Sequence, residues 1–377
     1  MKIIVLGTGL VGAPMAFDLA SNNEFEVSVA DFSSDSLSKF SNSNIKTVKL
    51  NVTNKENLQS LVADFDLVLS AVPGFLGYET LKSIIEAKKD VVDISFFPEN
   101  PFNLQKLASA NNVTAIIDCG VAPGMSNILV GYLSSQLDKT ENVEIYVGGL
   151  PELRELPYEY KAVFSPIDVI EEYTRPARYI EGGKLVIKPA LSDPELMNFP
   201  NIGTLESFNS DGLRTIAETI KAPNMKEKTL RYPGHIEKMK LLRDTGFFDK
   251  GEVEVNGQMI SPLDFTSKLL FPKWKLEEGE VDITVMQILV EGTKNNKFVS
   301  TSYFLYDKYN PHTKVHSMAR TTGYTATMAI RMLANKLYFE KGIIPPEFIG
   351  REEKCVNYIL NGLKDRGISY IRQENIR

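Results

Sequence analysis

The 377-residue sequence predicts an α/β protein with a doubly wound parallel sheet, plus a second α+β domain built on a largely antiparallel mixed sheet. Three observations carry this. A glycine-rich turn follows a short apolar run at the start of the chain. Strand-like and helix-like stretches then alternate to about residue 125. Beyond residue 140, longer strands with hairpin signals replace that alternation.

The first run, residues 3–6, is short, apolar and β-branched, as suits a buried parallel strand. It breaks at Gly7-Thr8-Gly9 and enters a helical pattern through Gly12 and Ala13. The spacing Gly7, Gly9, Gly12 matches the dinucleotide fingerprint, in which the glycines serve a tight turn, close approach to a pyrophosphate, and helix–strand packing. Pro14 falls in the first helical turn, where a missing N–H costs little. A second strand, 26–30, ends at Asp31, near the roughly 20-residue offset at which a carboxylate meets the adenosine ribose. A carboxylate there repels a 2′-phosphate, and the following Phe32, Ser33, Ser34 and Asp35 include no arginine to welcome one. The expected cofactor is NAD on a Rossmann domain; the plain alternative is that Asp31 merely starts a turn.

Further strands are expected at 45–50, 66–72, 90–94 and 113–118, with helices such as 54–64 and 75–88 between them. Ligands of such sheets lie beyond the carboxyl ends of the strands. That singles out Ala71-Val72-Pro73, Asp93-Ile94-Ser95-Phe96 and Asp118-Cys119-Gly120. Residues 121–127 form a turn into a helix at 127–137, whose free N–H groups can hold a carboxylate or the nicotinamide carboxamide, or simply start a helix. Strands follow at 143–149, 160–165, 177–189 (turning at Gly182-Gly183), 203–208, 227–232, 251–260 (hairpin at Asn256-Gly257), 280–291 and 298–306. Helices are expected at 166–173, 211–221, 235–245 and 262–270, then 322–340 and 351–365. The last two are expected to dock back on the first domain, so that 1–126 with 318–377 is the nucleotide domain and 127–317 the substrate and dimerisation domain. A broad sheet with one face bare of helices favours a homodimer.

With 42 basic and 48 acidic residues the net charge is −6, so no broad basic field points to nucleic acid. No run of roughly 18 apolar residues points to a membrane span, and the N-terminal apolar run is too short for a signal peptide. Cys119 and Cys355 make no disulfide framework. A cytoplasmic enzyme is the expectation.

In 228–235, K-T-L-R-Y-P-G-H, alternation places Thr229 and Arg231 on one side of a strand, and a turn aims His235 at the next helix. Arginine suits a substrate carboxylate because its fork bonds both oxygens, although a pair with a protein carboxylate is the plain alternative. Glu206, Asp211 and Arg214 cluster in one stretch; Asp211 can cap a helix, bind an ammonium group, or both. Lys161, within an apolar strand, is a base if desolvated and otherwise a strand-edge lysine. His312 and His316 lack acidic or cysteine partners, so no metal site is expected.

The stretches 70–77 (S-A-V-P-G-F-L-G), 92–101 (V-D-I-S-F-F-P-E-N-P), 118–129 (D-C-G-V-A-P-G-M-S-N-I-L), 147–151 (V-G-G-L-P), 171–177 (E-E-Y-T-R-P-A), 210–214 (S-D-G-L-R), 229–235 (T-L-R-Y-P-G-H) and 320–326 (R-T-T-G-Y-T-A) resemble the saccharopine dehydrogenase-like family, in order over nearly the whole chain. The likeness is greatest to the branch that oxidises the side-chain amine of L-lysine. That branch implies NAD-dependent deamination at C6, releasing ammonia and a semialdehyde that cyclises. The saccharopine reductase branch ranks second. It carries an aspartate and a cysteine where this chain has Ala122 and Val147. The resemblance implies substrate contacts at Ser95, Phe96, Thr229, Leu230 and Arg231, and cofactor contacts at Leu10, Val11, Val52 and Val72. Arg231 is then the carboxylate anchor and Asp211 an ammonium contact. Lys161 is the first candidate base, His235 the second, and Asp118 an acidic group near the nicotinamide.

Overall fold

The structure, a computed structural model, describes residues 1–277 and 279–376, in two compact units. The first contains Met1–Gln136 and Ala319–Ser369; the second contains Leu137–Met318 and the residues from Tyr370 on.

The first unit runs β1 (Lys2–Leu6), α1 (Gly12–Ala20), β2 (Glu26–Asp31), α2 (Ser34–Ser38), β3 (Lys46–Lys49), α3 (Lys55–Ala63), β4 (Leu67–Ser70), α4 (Gly74–Glu86), β5 (Asp90–Asp93), α5 (Gln105–Ala110), β6 (Thr114–Ile116) and α6 (Met125–Ser135). Its strands are parallel, and the central ones, β1 and β4, read as apolar runs buried on both faces, whereas the edge strand β3 (K-T-V-K) is mostly exposed. Side chains such as Ile4, Leu6, Val68, Val91 and Ile117 form one core with Leu58, Leu81 and Ile84 from the helices. Short helices begin where a polar side chain satisfies a free N–H: Ser33 accepts from the Ser36 amide and Asn54 from the Asn57 amide.

The second unit opens with β7 (Lys139–Pro151), then α7 (Pro166–Thr174), β8 (Ala177–Glu181), β9 (Lys184–Lys188), β10 (Glu195–Phe199), β11 (Gly203–Asn209), α8 (Ile216–Thr219), β12 (Asn224–Arg231), α9 (His235–Asp244), β13 (Val253–Val255), β14 (Gln258–Ile260), α10 (Pro262–Trp274), β15 (Asp282–Lys294) and β16 (Lys297–Lys308). β12 and β7 are parallel, while β15 pairs antiparallel with both β7 and β16. The β13–β14 hairpin stands as its own two-stranded sheet.

The chain re-enters the first unit with α11 (Ser317–Ala334), β17 (Gly342–Ile344), α12 (Pro346–Gly350) and α13 (Glu353–Asp365), and β18 (Tyr370–Ile376) then joins the second. The first sheet has the order β17-β6-β5-β4-β1-β2-β3, doubly wound as expected, with β17 as an extra parallel strand. The second has the order β10-β11-β12-β7-β15-β16-β18, with β8 attached at β12 and β9 paired to β8.

The unit boundaries differ from 1–126 with 318–377. Helix α6 stays in the first unit because its backbone touches α12. A Cβ on Gly131 would lie 2.2 Å from the Glu347 carbonyl oxygen, and one on Gly350 would lie 2.1 Å from that of Ile128. Residues 370–376 leave the first unit because β18 pairs with β16 from Leu305↔Tyr370 to Val299↔Ile376. Two expected elements also change. Residues 160–165 form no strand, only a single bridge between Ala162 and Lys275. The helix expected at 211–221 shrinks to four residues, Ile216–Thr219, and Arg214 is left-handed at φ 52°.

A buried carboxylate ties the nucleotide helix to the returning helices. Asp18 on α1 accepts from Thr327 Oγ1 (2.5 Å), Arg331 Nη1 (2.7 Å) and Arg366 Nε (2.6 Å). The Asp18 and Arg331 side chains are 8% and 5% exposed. Asp18→Ala, which strands two arginines, is expected to destabilise the chain by about 3–5 kcal/mol in denaturant titration.

Candidate functional site

The glycine turn of the first unit has the geometry its spacing implies. Gly7 adopts φ +89°, and a Cβ there would lie 2.6 Å from the Ala71 carbonyl oxygen. A Cβ on Gly12 would lie 2.0 Å from the carbonyl oxygen of Gly7, so the turn and the helix start touch backbone to backbone. A Cβ on Gly9 would meet nothing within 4 Å. The middle glycine therefore faces open space, beside the first turn of α1 and its unpaired N–H groups. Leu10 and Phe32 are exposed, Val11 is half-buried, and Val52 packs against the edge of the core. Asp31 closes β2. Its Oδ2 accepts from the Thr8 amide (2.7 Å) and hydroxyl (2.9 Å), and its Oδ1 from the Ser33 amide (2.8 Å). These donors fix the carboxylate over the glycine turn; Oδ2 has both lone pairs taken by Thr8, and Oδ1 keeps one for a ribose hydroxyl. The cradle fits a dinucleotide: tight where packing demands it and open where a pyrophosphate would approach.

At the ends of β5 and β6, Asp93, Ser95 and Asp118 are all buried, and Phe96 half-buried. Asp118 has φ 49°, a conformation that aspartate tolerates better than most residues. Ser95 Oγ lies 2.9 Å from the Val72 carbonyl oxygen and 2.9 Å from Asp93 Oδ1. A hydroxyl has one proton, and the carbonyl can only accept. Ser95 shares that proton between the two acceptors, and its amide also donates to Asp93 Oδ2 (3.3 Å). Burial, reinforced by the Asp118 charge and opposed by hydrogen bonds from serine, pushes Asp93 up to about 7.

In the second unit, Arg231 ends β12 and is 2% exposed. It donates through Nη2 to Glu172 Oε2 (2.7 Å), through Nε to the Tyr173 hydroxyl (3.2 Å), and through Nη1 to the Leu230 carbonyl (2.9 Å). Its guanidinium carbon lies 4.6 Å from the centre of the Tyr160 ring. The pair with a protein carboxylate is thus the arrangement present. His235 Nδ1 lies 2.9 Å from the Tyr158 carbonyl oxygen and Nε2 lies 3.0 Å from the Tyr173 hydroxyl. Since a carbonyl only accepts, the proton sits on Nδ1, and Tyr173 donates to Nε2 while accepting from Arg231. Burial and the adjacent Arg231 charge push His235 down to about 3. Its acceptor nitrogen is already engaged and it is fully buried, so the expectation of His235 as a base gives way to a role in orienting Tyr173 and Arg231.

The other expected residues separate. Thr229 is buried on the Arg231 side and bonds the Ser210 hydroxyl (2.7 Å), which donates to Glu227 Oε2 (2.7 Å). Leu230 points the other way, into a core with Leu150, Leu205 and Val285, so it reaches Arg231 only through its carbonyl. Asp211 caps no helix and is held by Arg178 (Nε–Oδ1 2.8 Å, Nη2–Oδ2 3.0 Å), which takes the place of the expected ammonium partner. Lys161 lies in the irregular stretch with Glu155 and Glu280 each 3.5 Å from Nζ, the opposite of the charge-free setting a lysine base needs. Two carboxyls went unremarked in the sequence. Glu227 is buried, and burial pushes it up to about 8 against the hydrogen bond from Ser210. The alternation that pairs Thr229 with Arg231 reaches it two residues earlier. Glu172, by contrast, carries no local signal.

Gly9→Ala is expected to fold normally and weaken dinucleotide binding roughly tenfold by calorimetry, whereas Gly12→Ala should destabilise the first unit. A free aspartate titrates near 3.8, and Asp93 at about 7 in the folded chain, so the stability it contributes is full at low pH and lost as pH rises through that window. Asp93→Asn, which keeps the shape and an acceptor for Ser95 but cannot ionise, should flatten that fall, by up to about 1.4 kcal/mol per pH unit, in denaturation series from pH 4 to 8.

Two family models match the chain: the saccharopine dehydrogenase NADP binding domain over residues 3–116, and the saccharopine dehydrogenase C-terminal domain over residues 120–368. The mitochondrial alpha-aminoadipic semialdehyde synthase of Mus musculus is 30% identical over 250 residues, covering 62% of this chain and 27% of that protein. The saccharopine dehydrogenase (NADP+, L-glutamate-forming) of Saccharomyces cerevisiae is 27% identical over 281 residues, 69% of this chain and 61% of that protein. The carboxyaminopropylagmatine dehydrogenase of Synechocystis is 22% identical over 372 residues, 92% of each. The chain spans 27% to 48% of the length of the mouse, rat and bovine synthases it matches. An apo saccharopine dehydrogenase (L-Glu forming) from Saccharomyces cerevisiae shares the fold, with TM-score 0.81, 21% identity and 99% of each chain covered. The chain belongs to the saccharopine dehydrogenase family.

Proposed function

We propose that this chain is an amino-acid dehydrogenase of the saccharopine type, which cleaves or forms a secondary amine between two amino acids, with NAD as the preferred nucleotide. The order of the two readings made from the sequence is thereby reversed, since the relatives named above include saccharopine-type enzymes. The observation that carries the proposal is Arg231: a permanent cation fixed by Tyr173, Leu230 and Tyr160 and paired through Nη2 with Glu172. Such a guanidinium is built to bind and orient an anion rather than merely to fill space. A bound nicotinamide nucleotide supplies the hydride acceptor for oxidation of the carbon beside the amine. Water then hydrolyses the resulting imine to an amine and a carbonyl compound, and the released proton needs an acceptor.

The chain's own groups meet the remaining requirements. Arg231 orients a substrate carboxylate, so that the reacting carbon is presented at a set distance from the anchor. The Thr229–Ser210–Glu227 chain links the same side of β12 to a carboxyl that gains or loses its proton near neutrality. Asp31, held by Thr8 and Ser33, favours a free ribose 2′-hydroxyl over a 2′-phosphate and supports NAD, although the matching domain model is described as NADP-binding.

One observation favours deamination of lysine as the second reading. Val147, 7% exposed, pairs with Thr229 across β7 and β12, and it puts an aliphatic side chain where the resemblance to saccharopine reductases calls for cysteine. Absorbance at the nicotinamide band separates the two. NADH formed from saccharopine supports the proposal, and NADH from lysine alone supports the second reading. Inactivity on both, with either nucleotide, discards them together. Asp31→Ser should shift preference toward NADP by roughly tenfold or more in kcat/KM.

A further inference from the structure

The contacts of Arg231 are unequal in one respect. Tyr160 is 3% exposed, and Tyr173, Phe208 and Leu230 are fully buried. Glu172 is the exception, with 21% of its side chain in solvent. Among the described contacts of Arg231, Glu172 is therefore the one whose side chain reaches solvent. The other contacts hold the cation without it: the Tyr173 hydroxyl, the Leu230 carbonyl, and the Tyr160, Tyr173 and Phe208 rings. The Asp18–Arg331 pair shows how this chain builds an ion pair for structure, with both partners below 9% exposure and Asp18 shared among three donors. Among the described contacts Glu172 has one such bond, at 2.7 Å, from the last turn of a nine-residue helix.

We propose that Glu172 is an internal stand-in for the substrate carboxylate: it occupies the place on Arg231 that a bound carboxylate takes, and it is displaced when one arrives. This rests on Arg231 being the carboxylate anchor of the proposed function. The contact of Glu172 Oε2 with Nη2 is the charge-assisted hydrogen bond an incoming carboxylate would make, so the exchange leaves the cation paired throughout. Burial pushes the Glu172 carboxyl above its ordinary range, opposed by Arg231 and Arg175, while Asp168 adds to the rise. Affinity for an outside carboxylate is then reduced by the fraction of time Glu172 holds the place. That reduction discriminates against weak monocarboxylates and favours ligands with further contacts to repay it.

The test is calorimetric titration of glutarate into the full chain without nucleotide, for wild type, Glu172→Gln and Glu172→Asp. The first variant removes the competing charge and keeps the shape; the second keeps the charge and withdraws it from Nη2. Both are expected to bind glutarate roughly five- to tenfold more tightly than wild type. Unchanged or weaker binding in both, no binding in any form, or failure of both variants to fold overturns the proposal and leaves Glu172 a structural partner. Turnover of saccharopine and lysine is measured separately. Tighter glutarate binding in a chain that oxidises neither upholds the stand-in and removes the assigned reaction. Turnover with unchanged glutarate affinity does the reverse.

Discussion

A guanidinium does not shed its charge at any pH a protein meets, so burying Arg231 sets terms for everything around it. Its neighbours must accept hydrogen bonds, present ring faces, or carry negative charge. Tyr173, Tyr160, Phe208 and Glu172 meet those terms from α7, β11 and the irregular stretch before α7. His235 must stay neutral, because a second cation beside the first would be repelled; the Tyr158 carbonyl and Tyr173 hydroxyl together dictate the tautomer that does so. Trp274 completes the wall, edge-on to Tyr160 and Tyr173. The packing of α7, α9 and α10 around a shared apolar cluster thus holds one cation in place.

Both units also keep carboxyl groups that are neutral or half-neutral near pH 7. In the first, burial raises Asp93, and the Asp118 charge adds to the rise. In the second, Glu227 sits beneath Ser210 and Thr229, among the described contacts without a cation, and burial raises it in the same way. Asp18 is the contrast, since two arginines and a threonine donate to it.

The nucleotide half was legible because its signals are local. Gly7, Gly9 and Gly12 act within one turn, and the strands between helices are buried on both faces, so an apolar run is enough to locate them. The errors lie where long-range contact overrides pattern. Residues 160–165 look like a strand but wrap Tyr160 and Ala162 into the cluster around Trp274 instead of pairing. Asp211 opens what reads as a helix, yet Arg178, 33 residues earlier, claims its carboxylate. Strand β18 is polar and exposed along nearly its whole length, so nothing in its composition marks the pairing with β16 that moves it to the other unit.

Sequence alone determined the doubly wound first unit, the glycine turn with Asp31 beside it, the largely antiparallel second sheet, and the family. Each follows from residue types whose effect is confined to one turn, one strand or one helix face. Only the tertiary structure decided that Arg231 is paired with Glu172, that the His235 ring is buried between the Tyr158 carbonyl and the Tyr173 hydroxyl, that Leu230 faces the core, and that Asp93 is buried against Ser95. Those outcomes depend on burial and on which donors and acceptors meet across many residues of intervening chain. The electrostatic cost of an unpaired buried group, absent from any local pattern, selects among them.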